Sequence, residues 1–442
     1  MSTSAAAAAS PSTSLSSVDR LLRPWYRRHS VDPFPAKSHH RHPRASLRHG
    51  LAHRCRGSLT VVVSGDSLFK VLRFLNSLKI KVSLPRGPES SSRRPRNIAT
   101  RRRQAREREG SRAMGDSTSS VKTTAKKSNN LFMQIIVHDD GTVTRPEVPA
   151  LPPSDSPAGA VRSRDVPLDA ARGSYLRLYL PNPAPAAAKL PVVLYFHGGG
   201  FVVFSAASFF YHNFCQTMAA AVPALVASLE YRLAPEHRLP AAYEDAAAAV
   251  AWLRGAAPAD PWVAAHGDLS RCFVMGASSG GNMAFFASVR TTNNGDLAPV
   301  AATVRGLLLH QPYFGGVERT PSEAWSEHDA VLPLEANDKL WRLALPVGAD
   351  RDHEFCNPVK ALPHDAVAGL PRCLVTGNTA DPLIDRQREF VRWLRDRGVD
   401  VVAKTDSPGY HAGELFVPNK AQELCAAVRE FVLASSIIFT RL

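Results

Sequence analysis

The chain has 442 residues, enough for a large core, and its formal net charge is +15. Residues 1–113 hold 24 Lys and Arg against 6 Asp and Glu, whereas residues 114–442 hold 30 against 33, a net charge of −3. The longer segment therefore lacks the basic excess of a nucleic-acid-binding domain. The chain contains no apolar run of about 18 residues, so a transmembrane helix is not expected. Its six Cys include no Cys-x-x-Cys pair, so the cysteines give no indication of a metal site.

The basic segment 1–113 is rich in Ser, Ala, Arg and Pro, a composition that predicts disorder. The interpretation we favour is an upstream extension without a structural role, because residues 114–117, Met-Gly-Asp-Ser, are typical of a protein start. An organelle transit peptide is the second interpretation, since such peptides are rich in Ser and Arg and poor in acidic residues. A basic arm that binds nucleic acid is the third. We therefore expect a cytoplasmic protein, with the nucleus as a further compartment, or a chloroplast protein if the segment is a transit peptide.

Apolar patterns divide residues 131–433 into alternating strands and helices. The predicted strands, in chain order, cover residues 132–138, 142–144, 174–179, 190–196, 224–229, 272–275, 304–310, 371–376 and 399–403. The predicted helices cover residues 209–221, 241–253, the segment after residue 281, 386–397 and 420–433. Such alternation predicts an α/β fold with a mostly parallel central sheet flanked by helices, over residues 114–442.

Residues 315–347 interrupt this alternation with aromatic and charged side chains. We predict that they form a small helical cap over a site, together with residues 114–130. The candidates for lining a pocket under this cap are Trp325, Leu340, Trp341 and Leu345. Packing in the core explains the same residues equally well.

A glycine-rich turn follows the predicted strand 190–196, with the sequence His197-Gly198-Gly199-Gly200. Glycines after a strand allow backbone N–H groups to approach a ligand closely. Acyl transfer needs such donors, because negative charge develops on the former carbonyl oxygen. A flexible turn without a function is the alternative.

The strand at residues 272–275 runs into a Gly-x-Ser-x-Gly turn, Gly276 to Gly280, and a helix follows. Strand, sharp turn and helix are the context in which this pattern indicates an exposed nucleophilic serine, here Ser278. The two glycines leave room where strand and helix approach each other most closely. Small residues are common at such turns, so the pattern alone is weak.

Three further candidates follow predicted strands at the same end, namely His197, Asp381 and His411. Ligands of parallel sheets bind at the carboxyl ends of strands. The order Ser278, Asp381, His411 is that of the α/β-hydrolase triad, and the joint placement is more specific than any single motif.

Together these residues resemble the plant carboxylesterases of the hormone-sensitive-lipase group of α/β-hydrolases, over about residues 131–433. The motifs that carry the resemblance are residues 197–200, 231–236, 276–281, 313–316 and 381–385, with His411. Ala277 departs from it, since relatives often have a polar residue there, and we expect an effect on packing more than on chemistry.

The resemblance implies a carboxylesterase that uses Ser278 as nucleophile, His411 as general base and Asp381 as the acid that orients the histidine. It places the oxyanion hole at the glycine loop, Gly198, Gly199 and Gly200, and at the N–H of Ser279. Asp385 is the rival carboxylate, but it falls at the start of a helix and is predicted to cap that helix. A small-molecule ester is the expected substrate, and neither a metal nor an organic cofactor is needed.

Two relatives with other functions provide the alternatives. One is a gibberellin receptor, which keeps the fold but lacks the catalytic histidine, so His411 argues against it. The other is a hydroxyisoflavanone dehydratase, a lyase that reuses the oxyanion site. Ser278 together with His411 favours a hydrolase over both, whereas the fold alone does not separate them.

Overall fold

An eight-stranded sheet organises the protein in the computed structural model, which describes residues 130–185, 188–293 and 304–437. The predictions for residues 1–113, and for residues 114–129 as part of the cap, lie outside the described residues. A short hairpin is formed by β1 Ile136–Val137 and β2 Val143–Thr144. The strands of the eight-stranded sheet are β3 Val161–Asp169, β4 Ser174–Pro181, β5 Leu190–Phe196, β6 Leu225–Glu230, β7 Gly267–Ala277, β8 Val304–His310, β9 Cys373–Asn378 and β10 Val401–Ser407.

The order of strands in the sheet is β10-β9-β8-β7-β5-β6-β4-β3. Neighbours from β10 to β6 run parallel, whereas β4 and β3 are added antiparallel at the other edge. The carboxyl ends of the parallel strands therefore meet along one edge of the sheet, where ligands of such folds bind. The predicted α/β fold with a mostly parallel sheet is confirmed.

Helices cover both faces of this sheet. They are α1 Phe209–Ala221, α2 Ala241–Arg254, α3 Pro261–His266, α4 Ser279–Asn293, α5 Pro321–Ala324, α6 Leu334–Ala344, α7 Pro358–Ala361, α8 Ile384–Arg395, α9 Gly413–Phe416 and α10 Pro418–Ile437. All seven residues of β5 are buried, and from Val192 to Phe196 their side chains alternate between two hydrophobic clusters. One cluster packs against α1 and α10 and the other against α2, α4 and α8, which is why β5 reads as a continuous apolar run.

The start of the described chain differs from the predicted strand 132–138. Residues Phe132–Gln134 form a turn of 3₁₀ helix, and only β1 and β2 pair as a short antiparallel hairpin. The cause is Asn130, whose side-chain oxygen accepts hydrogen bonds from the backbone N–H groups of Phe132 and Met133 at 3.0 and 3.1 Å. Its amide nitrogen donates to the carbonyls of Ala330 and Val331, so this end of the chain is fastened to the segment 315–347.

The segment 315–347 lies outside the sheet and contains α5, a 3₁₀ turn and α6. A buried ion pair fastens it to α8, because Arg386 lies 3.2 Å from Glu323 of α5. Of the pocket candidates, Leu340, Trp341 and Leu345 are buried, whereas the side chain of Trp325 is 86% exposed. Leu340 reaches the glycine loop, since a Cβ built on Gly200 would lie 2.6 Å from it. Leu340 of this segment therefore lies against the loop that follows the carboxyl end of β5.

Candidate active site

The turn between β7 and α4 holds Ser278 in a left-handed backbone conformation, with φ of 54°. Glycine is required on both sides of it. A Cβ on Gly276 would lie 2.0 Å from the carbonyl oxygen of Gly280, and a Cβ on Gly280 would lie 2.0 Å from that of Phe196. The N–H of Ser278 donates to the carbonyl of His310, the last residue of β8, at 2.9 Å. The turn is thus clamped between two neighbouring strands and presents a partly exposed serine.

Two other chain segments bring polar side chains to this serine. The Ser278 Oγ and the Nε2 of His411 are 2.9 Å apart. The opposite ring nitrogen of His411 lies 3.1 Å from both carboxylate oxygens of Asp381. Both the histidine and the aspartate are buried, at 3% and 1% exposure. The structure therefore places the three residues in one hydrogen-bonded row at the carboxyl edge of the sheet.

The carboxylate of Asp381 has two more hydrogen bonds. The backbone N–H of Leu383 donates to it at 2.9 Å, and the side-chain amide of Gln387, from α8, donates at 2.8 Å. Gln387 is fully buried. These donors compensate the burial of the charged group and fix the plane of the carboxylate. Gln387 was not singled out from the sequence, although its position six residues after Asp381 is consistent with the first helical turns of α8.

The rival carboxylate, Asp385, points elsewhere. It accepts a hydrogen bond from the backbone N–H of Ser322 at 2.9 Å, at the start of α5. The prediction that it caps its own helix is wrong, because α8 begins after Leu383 without a side-chain cap. Asp385 instead belongs to the attachment of the segment 315–347.

Charges around His411 raise the pKa of its imidazole above the usual 6.5. Burial alone would lower this pKa, but the negative charge of Asp381 and its hydrogen bond outweigh burial, and Asp329 of the segment 315–347 adds a smaller contribution in the same direction. His197 behaves in the opposite way. Its full burial lowers the pKa to about 4, so this imidazole is neutral and stacks on Tyr231 at 4.2 Å. His197 is a packing residue of the glycine loop and not a base.

The glycine loop after β5 lies directly against the serine. A Cβ on Gly198 would come within 3.0 Å of the Cβ of Ser278. Gly199 and Gly200 have positive φ angles of 118° and 61°, and a Cβ on Gly199 would lie 2.0 Å from a backbone oxygen of the loop. Ser279 is the first residue of α4, so its N–H belongs to a helix N-terminus, which favours negative charge. Of the predicted oxyanion residues, Gly198 and Ser279 therefore lie next to the serine, and Gly199 and Gly200 follow in the same loop.

The described residues contain no helix with the length and apolar character needed to cross a bilayer.

The comparisons with known proteins agree with this architecture. A family model of the alpha/beta hydrolase fold matches residues 193–413. A probable carboxylesterase of Arabidopsis thaliana is 42% identical over 316 residues, 69% of this chain and 93% of that protein. A 3-O-acetylpapaveroxine carboxylesterase of Papaver somniferum is 41% identical over 312 residues, 67% of this chain and 97% of that protein.

Two further matches extend the comparison. A tuliposide A-converting enzyme of Tulipa gesneriana, named as chloroplastic, is 37% identical over 277 residues, 60% of this chain and 66% of that protein. The solved structure of a hyperthermophilic esterase from the archaeon Pyrobaculum calidifontis has a TM-score of 0.53 at 27% identity, over 62% of this chain and 86% of that one. The chain belongs to the α/β-hydrolase family, among its carboxylesterases, which hydrolyse carboxylic esters.

Proposed function

We propose that the chain hydrolyses small-molecule carboxylic esters with Ser278 as nucleophile, His411 as general base and Asp381 as the orienting acid. The observation that carries the proposal is the continuous row of hydrogen bonds from Ser278 through His411 to Asp381, at 2.9 and 3.1 Å. A serine is a weak nucleophile until a neighbouring base removes its proton. This row provides that base and holds it in the required direction.

Catalysis would proceed in two halves. His411 takes the proton from Ser278 while the serine oxygen attacks the ester carbonyl. The histidine then donates this proton to the alcohol oxygen as the ester C–O bond breaks, so the alcohol departs and an acyl-enzyme remains. A water molecule, deprotonated by the same histidine, attacks the acyl-enzyme and releases the acid. Asp381 keeps the proton of the neutral imidazole on the far nitrogen and stabilises the imidazolium that forms in each half. None of these steps requires a metal or cofactor.

The oxyanion hole belongs to this proposal. The N–H groups of Gly199, Gly200 and Ser279 would donate to the carbonyl oxygen as it becomes negative, and Gly198 supplies the close approach to the serine. The position of Ser279 at the start of α4 adds the positive end of a helix dipole to the same point. Loss of one such donor typically lowers the rate by about 10²–10³-fold.

The receptor and the lyase remain the competing functions. The hydrogen bond between His411 and Ser278 supports hydrolysis over a binding role, since a binding protein has no need for an activated serine. For the substrate we propose a short acyl ester, because the relative from Papaver somniferum is named for an acetyl ester. The deciding test is a panel of p-nitrophenyl esters of increasing acyl length, with a hydroxyisoflavanone as the probe for dehydration.

The triad is tested with Ser278→Ala in the full chain. We expect a loss of nearly all turnover of p-nitrophenyl acetate and of covalent labelling by a fluorophosphonate, with an unchanged melting temperature. Wild-type turnover in this folded variant would refute the proposal. Labelling of a different serine, located by mass spectrometry, would show that the nucleophile is elsewhere.

For the domain organisation we propose that residues 114–442 form the hydrolase domain, with residues 114–130 and 315–347 as cap elements and residues 1–113 as an extension. The attachment of Asn130 to the carbonyls of Ala330 and Val331 supports a joint cap. We further propose a cytoplasmic location, with the nucleus as a further compartment. The chloroplastic relative from Tulipa gesneriana supports the alternative. Residues 1–113 fused to a fluorescent protein test this, and signal in chloroplasts would overturn the cytoplasmic assignment.

A further inference from the structure

The base of the proposed triad, His411, stands on a loop that needs support from outside. The loop lies between β10 and the four-residue helix α9, and Ala412, the next residue, has a positive φ of 56°. The Oγ of Ser278 and the Nε2 of His411 belong to segments 133 residues apart in the chain. Their separation of 2.9 Å therefore depends on contacts that join the two segments.

Gln311 makes that connection on both sides of the histidine. Its side-chain amide nitrogen donates to the carbonyl of Tyr410 at 3.0 Å, and its amide oxygen accepts from the N–H of Ala412 at 2.8 Å. One amide group thus holds the peptide units before and after His411. Gln311 is 1% exposed, so its amide group is shielded from water.

The backbone of Gln311 is tied to the nucleophile turn and to the strand that leads to the acid. The carbonyl of the preceding residue, His310, accepts a hydrogen bond from the N–H of Ser278. The N–H of Gln311 donates to the carbonyl of Thr376 in β9 at 2.7 Å. The His310 side chain shares a hydrogen bond with Glu414 of α9 at 3.0 Å. The dipeptide 310–311 therefore contacts the chain segments of all three triad residues.

Backbone strain gives a second, independent argument. Gln311 has a φ of 44°, a left-handed conformation that glycine or asparagine adopts at lower cost. A long, buried side chain at such a position is retained when the surroundings specify it, and strained residues cluster at functional sites. In this conformation the amide group of Gln311 reaches the histidine loop.

We propose that Gln311 is a positioning residue that fixes His411 in register with Ser278, and that its side-chain amide sets the rate of the chemical step. This inference rests on the proposed triad. It assigns to Gln311 no contact with substrate. Removal of the amide should therefore lower kcat and leave KM unchanged.

The test compares Gln311→Met, which has a similar length but no hydrogen-bonding amide, with the wild-type full chain. Loss of two hydrogen bonds of typical strength, together with a displaced base, predicts a kcat lowered by roughly tenfold to a hundredfold. KM for p-nitrophenyl acetate should change by less than about twofold, and inactivation by a fluorophosphonate should slow in proportion to kcat. Both rates are taken on the plateau of the pH profile.

Two further variants keep the test decisive. Asn357→Ala removes another buried amide, which donates to Asp352 at 3.0 Å and contacts no part of the triad, so it should lower the melting temperature but not kcat. Gln311→Glu keeps the acceptor for the N–H of Ala412 but not the donor, and is the alternative if Gln311→Met does not fold. Because its second oxygen faces the carbonyl of Tyr410 as another acceptor, its kcat should fall at least as far as that of Gln311→Met.

The outcomes separate this inference from the proposed function. Activity in Ser278→Ala would overturn the triad itself. An inactive Ser278→Ala with wild-type kcat in folded Gln311→Met or Gln311→Glu would overturn the positioning role alone. A raised KM with unchanged kcat would also overturn it, since that result assigns Gln311 to substrate binding.

Discussion

The orienting role of Asp381 predicts a large and specific effect of Asp381→Asn. The substitution keeps the size of the side chain but replaces one carboxylate oxygen, an acceptor, with a donor NH₂ group. In the wild-type protein the carboxylate of Asp381 accepts hydrogen bonds from His411, Leu383 and Gln387. An Asn side chain cannot accept all of these bonds, and its NH₂ group favours the imidazole tautomer with the proton on the nitrogen facing Ser278.

The magnitude follows from the charge that is lost. In the transition state His411 becomes an imidazolium next to Asp381, and two unit charges about 4 Å apart attract by about 4 kcal/mol at an effective dielectric constant of about 20. That energy corresponds to about 10³-fold in rate. The wrong tautomer adds to it, so we expect kcat lowered by about 10³–10⁴-fold, in line with triads of this type.

The assay is the hydrolysis of p-nitrophenyl acetate at a pH where the wild-type rate no longer rises. Asp385→Asn is the matched control, because the carboxylate of Asp385 contacts the N–H of Ser322 and not the histidine. We expect it to lower kcat by less than about tenfold, the loss associated with one hydrogen bond at the attachment of the cap. A larger loss in Asp385→Asn than in Asp381→Asn would refute the reasoning.

Three other predictions follow from the pH dependence, the serine turn and the basic segment. Because only neutral His411 accepts a proton and its pKa is raised, kcat/KM should fall with decreasing pH around a midpoint above 6.5; a midpoint at or below 6.5 would contradict this. Gly280→Ala should destabilise the protein by about 3 kcal/mol, because its Cβ would lie 2.0 Å from a carbonyl of β5. Gly255→Ala, whose Cβ would lie 3.7 Å from its neighbour, should change the melting temperature little, and equal melting of both variants would count against the clash. A chain that starts at Met114 should melt within a few degrees of the full chain and hydrolyse esters at a similar rate, because the described sheet and triad all follow residue 130; loss of turnover would assign residues 1–113 to the fold or the lid.

The central strands could be predicted from the sequence because burial makes their composition apolar. The predicted strands 190–196 and 304–310 and the predicted helix 209–221 have the same bounds in the structure as β5, β8 and α1. The edge strand β3 was missed. Only Val161 and Ser163 of its nine residues are buried, and the rest are half-buried or exposed. The strand also contains charged side chains and Pro167, which an edge strand tolerates and a central strand does not. An edge strand therefore carries a weaker apolar signal.

The residues of the proposed triad were recognisable because each follows a predicted strand, and the turn around Ser278 has a local glycine pattern. Their supports were not recognisable. Gln311 binds the backbone at positions 99 and 101 residues away, and His310 meets Glu414 at a separation of 104 residues. No local pattern encodes such pairs, since the sheet brings them together only after strands β8, β9 and β10 are aligned.

The strained positions of the chain connect the fold to the proposed chemistry. Among the described residues, non-glycine residues with positive φ lie only after the carboxyl ends of β5, β7, β8 and β10, and they are Phe201, Phe204, Ser278, Gln311 and Ala412. Each such conformation costs about 1–2 kcal/mol. Loops alone would relax to relieve that cost, so the rigid parallel sheet and the packed helices on both faces must hold them. The same strain turns Ser278 outward, directs Gln311 to the histidine loop and shapes the loop behind the glycines. A substitution that relieved the strain at one of these positions would therefore release a side chain from the direction that ester hydrolysis requires, even where it stabilised the protein.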